Sequence, residues 1–291
     1  MKEITIISGK GGTGKTTVTA ALAATGDRLV LCDGDVDAAD LHLVLDPETE
    51  ESYVFEGNWV AEIDRDKCTD CGICSEYCRF DAIIPDGNGG LQIHPFRCEG
   101  CRLCERICPS GAIHSARSTG NHWFVSATRF GKLVHARMGP GEENSGKLVT
   151  QVREKARELA EEFQASYILT DGPPGTGCPA IASVSGTDLV LLVIEPSITS
   201  LHDAGRVIEL VHSSGTPVCA VLNKADIHPG LGSQIEAFLE EKGVPVLGRL
   251  PFREEVVEAM VAGKTLVEHD PGGEIAGEIR SVWKRIPTLF S

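Results

Sequence analysis

The sequence predicts an α/β protein in which a doubly wound parallel sheet is interrupted by a small α+β insert. Three features predict it. Six short runs rich in Val, Ile and Leu alternate with helix-forming stretches, the pattern of parallel strands buried on both faces. A glycine-rich loop follows the first run directly. Of 11 cysteines, most fall in two like-spaced groups between Cys68 and Cys108.

The bulk numbers bound the answer. At 291 residues the chain accommodates one large domain with a small insert, or two ordinary domains. A hydrophobic share of 42% and a charged share of 24% are those of a soluble globular protein. A net charge of −15 argues against a nucleic-acid partner, because neutralising phosphates needs a surplus of Lys and Arg. The charge runs Glu48 to Glu51 and Arg153 to Glu162 read as solvated surface. The amino terminus, Met1 to Ile7, lacks the basic and apolar segments of a signal peptide, and no stretch reaches the ~18 apolar residues of a membrane span. A cytoplasmic location is expected. That setting disfavours disulfides and directs attention to metal or cluster ligation.

The first run, Ile4 to Ile7, leads into Gly9-Lys10-Gly11-Gly12-Thr13-Gly14-Lys15-Thr16-Thr17, and a helical stretch from Val18 to Ala24 follows. The match to G-x-x-x-x-G-K-[ST] stands in the strand–loop–helix context that the motif requires. Backbone N–H groups of Gly9, Gly11, Gly12, Thr13 and Gly14 are placed to curl around phosphate oxygens, and the helix N-terminus adds a favourable dipole. Lys15 is expected on the β/γ-phosphates and the Thr16 hydroxyl on Mg²⁺, with Thr17 beside it.

The second run, Arg28 to Cys32, ends in Asp33-Gly34-Asp35-Val36-Asp37, and another, Ser166 to Thr170, ends in Asp171-Gly172-Pro173-Pro174-Gly175. Carboxylates at the carboxyl ends of parallel strands sit where open α/β sheets bind ligands. Further runs are Asp188 to Pro196, Pro217 to Leu222 before Asn223-Lys224-Ala225-Asp226, and Val244 to Pro251.

Lys10 sharpens the reading. The loop resembles the deviant Walker A motif (K-G-G-x-G-K-T) of the MinD/ParA/Mrp and nitrogenase-iron-protein superfamily, P-loop NTPases of the SIMIBI class. The resemblance implies ATP as nucleotide and a homodimer, or a heterodimer with a paralogue, formed on ATP binding, with Lys10 reaching the partner's nucleotide. It implies that Lys10, Lys15 and Asp35 are catalytic, with Asp35 positioning the attacking water. It further implies that Asp33 and Asp171 act on Mg²⁺ with Thr16, the roles of Asp33 and Asp35 being interchangeable by one step. Residues 172–177 resemble the γ-phosphate-sensing switch II loop. Asn223 resembles the adenine-reading residue, and the segment at Pro251 closes over the base. The Asn-Lys-x-Asp run also resembles the guanine motif of GTPases; the rest of the resemblance implies ATP.

The cysteines read Cys68-x2-Cys71-x2-Cys74-x3-Cys78 and Cys98-x2-Cys101-x2-Cys104-x3-Cys108-Pro109. Two such runs resemble a two-cluster ferredoxin, in which the fourth cysteine of each run serves the other cluster. That implies one [4Fe-4S] cluster on Cys68, Cys71, Cys74 and Cys108 and a second on Cys98, Cys101, Cys104 and Cys78. Zinc sites favour two separated C-x2-C pairs instead. Arg79 stands where the first run would carry proline. The Ala82-Ile83 and Ala112-Ile113 pairs mark an internal repeat that packs a small core. The expected division is an ATPase domain over residues 1–60 and 118–291 and a ferredoxin-like insert over 61–117. So small a module needs its clusters for stability. Nearly the whole chain resembles MinD-superfamily ATPases with such an insert.

Outside the insert, Cys32 and Cys219 read as core residues. Cys178, just past switch II, reads as packing or as a redox or metal ligand at a dimer face. The second cysteine needed for a subunit-bridging cluster is missing near Gly139 to Glu143. A turn is expected over Gly139 to Lys147 and a helix from about 147 to 163. His42, His94, His114 and His135 form no metal spacing. The tail, Glu274 to Phe290, carries apolar residues at helical spacing and reads as a docking helix rather than a membrane helix. The leading expectation is an ATPase coupling nucleotide state to electron transfer with a redox or metallocluster partner. Alternatives are an iron–sulfur assembly factor and a MinD/ParA-like positioning ATPase with redox-sensing clusters.

Overall fold

The computed structural model describes residues 1–139, 142 and 146–290. The strands are Lys2–Ser8 (β1), Leu29–Asp33 (β2), Glu48–Phe55 (β3), Trp59–Ile63 (β4), Ile83–Pro85 (β5), Leu91–Ile93 (β6) and Ile113–Arg117 (β7). They continue as Asn121–Thr128 (β8), Gly131–Arg137 (β9), Tyr167–Pro174 (β10), Leu189–Ile194 (β11), Val218–Asn223 (β12) and Val246–Leu250 (β13). The helices are Lys15–Ala23 (α1), Leu41–Leu45 (α2), Ile73–Glu76 (α3), Leu103–Ile107 (α4), Lys147–Glu162 (α5) and Cys178–Val184 (α6). Then come Ile198–Ser213 (α7), Pro229–Glu241 (α8), Glu255–Val261 (α9), Leu266–His269 (α10) and Glu274–Arg285 (α11).

The chain forms two compact units: Met1–Ser52 with Trp123–Ala136 and Asn144–Ser291, and Tyr53–His122 with Arg137–Glu143. The large sheet runs β13-β12-β11-β1-β10-β2-β9-β8-β3. Every pairing from β13 across to β9 is parallel. Ile4, Ile6 and Ile7 are wholly buried, as are all of Leu189 to Val193, because helices cover the sheet. Strand order reverses at β1, which lies between β10 and β11. The register pairs Ile6 with Asp171 and Asp171 with Asp33. Three adjacent strands thereby deliver their carboxyl ends to one place.

The Glu48 to Glu51 run is solvated, as expected, and forms part of β3 at the sheet's edge, where charge keeps other chains from pairing with it. Other expectations need correction. β8 and β9 went unread because His122, Trp123, Phe124 and His135 dilute their apolar pattern. The Arg153 to Glu162 run is not wholly solvated: Arg153 is buried and ion-paired to buried Glu3 at 2.7 Å. The Gly139 to Lys147 turn lies in good part outside the described residues. α11 buries Ile275, Ile279 and Val282 against the core, with Trp283 edge-on to Tyr167. Among the described residues no helix is long and apolar enough to cross a membrane.

The smaller unit pairs β4 with β7 and β5 with β6, both antiparallel. Ala82, Ile83, Ala112 and Ile113 are all buried there. Its limits are wider than the 61–117 read from the cysteines. Trp59 opens the β4 pairing opposite Arg117, and Asn121 accepts from the Gly139 N–H at 3.0 Å and donates to Glu142.

Candidate nucleotide site and cysteine cavities

A cavity of about 580 Å³ opens at the carboxyl ends of β1, β2 and β10. Gly11, Gly12, Thr13, Gly14, Lys15, Thr16 and Thr17 line it, with Asp35, Pro173 and Pro174. Gly12 and Gly14 have φ of 80° and 89°, a left-handed backbone that glycine adopts without strain. Gly9 serves another purpose: a Cβ there would meet Asp203 Cβ of α7 at 2.6 Å.

Lys15 Nζ sits 2.9 Å from Asp171 Oδ1 and 3.3 Å from Asp35 Oδ2. Asp171 also accepts from Thr16 Oγ1 at 2.6 Å and from Thr19 Oγ1 at 3.0 Å. Asp33 lies wholly buried behind them and accepts from the N–H groups of Asp35 (3.2 Å) and Leu41 (3.1 Å). Burial opposes charge on Lys15, yet Asp171 and Asp35 outweigh it and hold its pKa above the usual lysine value. Burial pushes the Asp33 carboxyl well up, and Asp171 adds to it; burial likewise raises Asp35. Three acids share one lysine here, a balance suited to a divalent cation. Thr16 and Asp171 would hold it, with Asp33 behind. Asp37, Asp40 and Met260, which the sequence did not single out for binding, also line the cavity.

Lys10 is not at the cavity wall. Its Nζ is bound to Glu195 Oε1 at 2.6 Å. The other Glu195 oxygen takes Lys224 at 2.7 Å, and Lys224 also donates to the Gly12 carbonyl at 2.9 Å. Burial works against the Glu195 charge, but Lys10 and Lys224 outweigh it and lower its pKa. Glu195 went unread, although its place directly after β11 is a signal: it is another carboxylate at a parallel strand end.

Asn223 Nδ2 donates to the Thr13 carbonyl at 2.7 Å, tying the end of β12 to the phosphate loop. Asp226, the last residue of the Asn-Lys-x-Asp run, accepts from the Phe252 N–H at 2.7 Å and from Arg253 Nη1 at 2.6 Å. Those two donors hold its carboxyl below the usual range. Both oxygens are engaged by the segment after Pro251. Pro251 is half-buried directly beyond β13.

The eight cysteines of the two runs gather around two cavities. One is lined by Cys68, Cys71, Cys74 and Cys108, the other by Cys78, Cys98, Cys101 and Cys104, with Cys74 touching both. The two runs repeat one backbone. Asp70 and Gly100, Gly72 and Arg102, and Asp81 and Gly111 are equivalent pairs, all at positive φ. Such left-handed residues turn N–H groups inward and make concavities for anions. The N–H groups of Ala82 and Ala112 point at Cys78 Sγ (3.4 Å) and Cys108 Sγ (3.3 Å). Burial pushes the Cys104 thiol up to about 11 and also raises Cys74, whereas Ser110 lowers Cys108. Four thiols at each cavity are the donor type that a four-iron cluster takes. Among the described residues no group of three or more His, Cys, Asp or Glu could hold a metal ion. Cys32 and Cys219 are buried in β2 and β12, and Cys178 is exposed at the start of α6.

Known proteins resemble this chain along most of its length. Residues 4–267 match the model of the CobQ/CobB/MinD/ParA nucleotide binding domain. An uncharacterized protein of Methanocaldococcus jannaschii is 34% identical over 225 residues, covering 76% of this chain and 78% of that protein. The septum site-determining protein MinD of Bacillus subtilis is 25% identical over 295 residues, covering 97% and 88%. Among solved structures, the cell division ATPase MinD of Pyrococcus furiosus superposes with a TM-score of 0.59 at 21% identity, over 99% of both chains, a likeness of fold.

Proposed function

The chain is a P-loop ATPase of the CobQ/CobB/MinD/ParA nucleotide-binding family, and from that premise we propose that it is a nucleotide-switched iron–sulfur protein. The observation that carries the proposal is the sorting of the eight cysteines onto two cavities in the crossed sets that a two-cluster ferredoxin uses. Each bound cluster would supply one-electron storage. The smaller unit is the inserted cluster-bearing domain, and its partner is a redox or metallocluster protein.

At the nucleotide site the reaction is attack of water on the γ-phosphorus of ATP, releasing ADP and phosphate. The phosphate loop, Gly11 to Thr17, binds the phosphates. Lys15 exchanges its contacts with Asp171 and Asp35 for the β/γ-phosphates, which frees Asp35 to orient the water. Asn223, its Nδ2 held by the Thr13 carbonyl, offers its Oδ1 to the adenine amino group, and the segment at Pro251 closes over the base. Lys10 leaves Glu195 to neutralise charge on the nucleotide of a second copy, so ATP closes a dimer. The wall of the cavity includes Asp35, Asp40 and Val44, and the chain passes directly from there into the cysteine unit at Tyr53. That connection is the route by which nucleotide state reaches the clusters.

The likeness to MinD favours a second reading, a positioning ATPase whose clusters sense redox state. One experiment separates them: anaerobic purification, iron analysis, EPR of the reduced form and ATPase rate, each with and without ATP. About eight irons per chain and an EPR spectrum or potential altered by ATP support coupled electron transfer. Eight irons indifferent to ATP favour the sensor, and zinc in place of iron sinks both.

A further inference from the structure

We infer that Arg129, in the turn between β8 and β9, is a positioning residue for the nucleotide. Its guanidinium pins the two short helices, α2 and α9, that carry an apolar wall of the nucleotide cavity. The inference rests on the ATPase reading above and not on the clusters. Leu43 and Val44 of α2 and Met260 of α9 line that cavity together. The phosphate loop takes the phosphates, so this wall faces the remainder of the nucleotide, its ribose and base. α2 has five residues and α9 seven. Helices so short do not hold themselves in water, and they take their place from what binds their ends.

At its start α2 is fixed by Asp33, which accepts from the Leu41 N–H at 3.1 Å. At its end the Val44 and Leu45 carbonyls have no further helical turn to bond, and Arg129 takes both. Nη2 donates to Val44 at 2.9 Å and Nη1 to Leu45 at 2.6 Å. Nη2 also donates to the Gly263 carbonyl, two residues past the end of α9, at 3.2 Å. Glu268 of α10 accepts from Nε at 2.6 Å and from Nη2 at 2.9 Å, a two-point contact that sets the plane of the guanidinium. Glu268 is itself held in a capping box with Thr265. The turn beneath is fixed as well: Thr128 Oγ1 donates to the Gly131 carbonyl at 2.7 Å and accepts from the Phe130 N–H at 3.1 Å. The guanidinium lies 4.9 Å from the Phe130 ring, which packs against the core. Loss of Arg129 would free both helix ends at once. The phosphate loop would stay in place, because Asn223 holds its Thr13 carbonyl and Lys224 its Gly12 carbonyl. One ammonium nitrogen cannot stand where three guanidinium nitrogens stand, so lysine is no substitute here.

The test compares ADP with inorganic pyrophosphate on the full chain, each with Mg²⁺ and each raised until the unfolding midpoint shifts. ADP is used because it lacks the γ-phosphate through which a dimer would close. Each shift is taken against the same variant without ligand, so that plain loss of stability cancels. Arg129→Gln should weaken ADP about tenfold, because the wall must then be assembled as the ligand binds, and should change pyrophosphate less than about twofold. Arg129→Lys should recover less than half of that loss on a logarithmic scale. Glu268→Gln, which leaves the three carbonyl bonds in place, should weaken ADP about threefold. Equal weakening of ADP and pyrophosphate would assign Arg129 to the general order of the site and overturn the inference. ADP binding that Arg129→Gln leaves unchanged, or that Arg129→Lys restores in full, overturns it too. Should Arg129→Gln not fold, Glu268→Gln decides: loss confined to ADP supports the inference, and equal loss or none overturns it. A wild-type midpoint that neither ligand moves overturns the ATPase reading itself.

Discussion

Glu195→Gln should tighten ATP-dependent self-association. Glu195 holds Lys10 at 2.6 Å and Lys224 at 2.7 Å, with side-chain exposures of 30%, 17% and 25% for Lys10, Glu195 and Lys224. All three are less than one-third exposed, so each pair contributes about 1 kcal/mol, between the surface and the buried cases. On the proposed function, Lys10 leaves Glu195 to reach a second copy's nucleotide. The pair is thus a term that only the resting state enjoys, and its removal shifts the equilibrium by that amount. A dimer breaks two such pairs, which amounts to ~2 kcal/mol or ~30-fold in the dimer constant. Both pairs are lost in each chain, so the protein should lose about 2 kcal/mol of stability, a fall of about 4–8 °C in Tm. Glutamine keeps the shape and removes the charge. Sedimentation velocity with a slowly hydrolysed ATP analogue reads the dimer constant, and ADP provides the control. An unchanged or weakened dimer would refute the latch, and equal tightening with ADP would assign the effect to something other than Lys10 reaching a γ-phosphate.

Lys15→Met should abolish measurable hydrolysis, a loss of about 100-fold or more, and lower stability at pH 7 by ~3 kcal/mol in urea unfolding, because Asp171 and Asp35 lose their buried counter-ion; an unfolding midpoint equal to wild type would show that the pair contributes nothing. Burial raises Asp33 and Asp35, so between their unfolded value of about 4 and their raised folded values the native state binds more protons than the unfolded chain. Stability of the unliganded protein should therefore rise as pH falls through that window, and Asp35→Asn should flatten the rise; a wild-type Tm that falls over the same interval contradicts the sign. Oxidative loss of iron should expose amides over Trp59–Ile63 and Ile113–Arg117 in hydrogen exchange and leave β1 and β10 protected, with ATP affinity within about twofold; loss of ATP binding would show that the ATPase unit depends on the clusters.

The parts of the site that were legible in the sequence are those fixed by strand ends. A buried parallel strand must be continuously apolar, so the first polar residue after it marks the carboxyl end. Asp33, Asp171 and Lys15 could be placed together before any coordinates. The repeated cysteine spacing reappears as two cavities, each lined by cysteines from both runs. What could not be read depends on partners distant in sequence. Lys10 and Glu195 lie on different strand ends, and nothing local says that they meet. The outer strands β3, β8 and β9 escaped because polar and aromatic residues interrupt their period. Arg153 reads as surface within a charged helix but is buried, paired with Glu3 at the start of β1 and donating to the Ala182 and Ser185 carbonyls.

Asp226 carries the same lesson into base selection. In sequence, Asn223-Lys224-Ala225-Asp226 offers a guanine reader; in the fold each polar residue of that run is already engaged. Asn223 reaches Thr13, Lys224 reaches Gly12 and Glu195, and Asp226 fixes Phe252 and Arg253. Arg253 in turn reaches Glu274 at 3.2 Å, at the start of α11. The run therefore works as a brace between the phosphate loop and the segment after β13. A base reader must keep a free acceptor for guanine N–H groups, and a brace must not. Two strong hydrogen bonds on one carboxylate favour the brace.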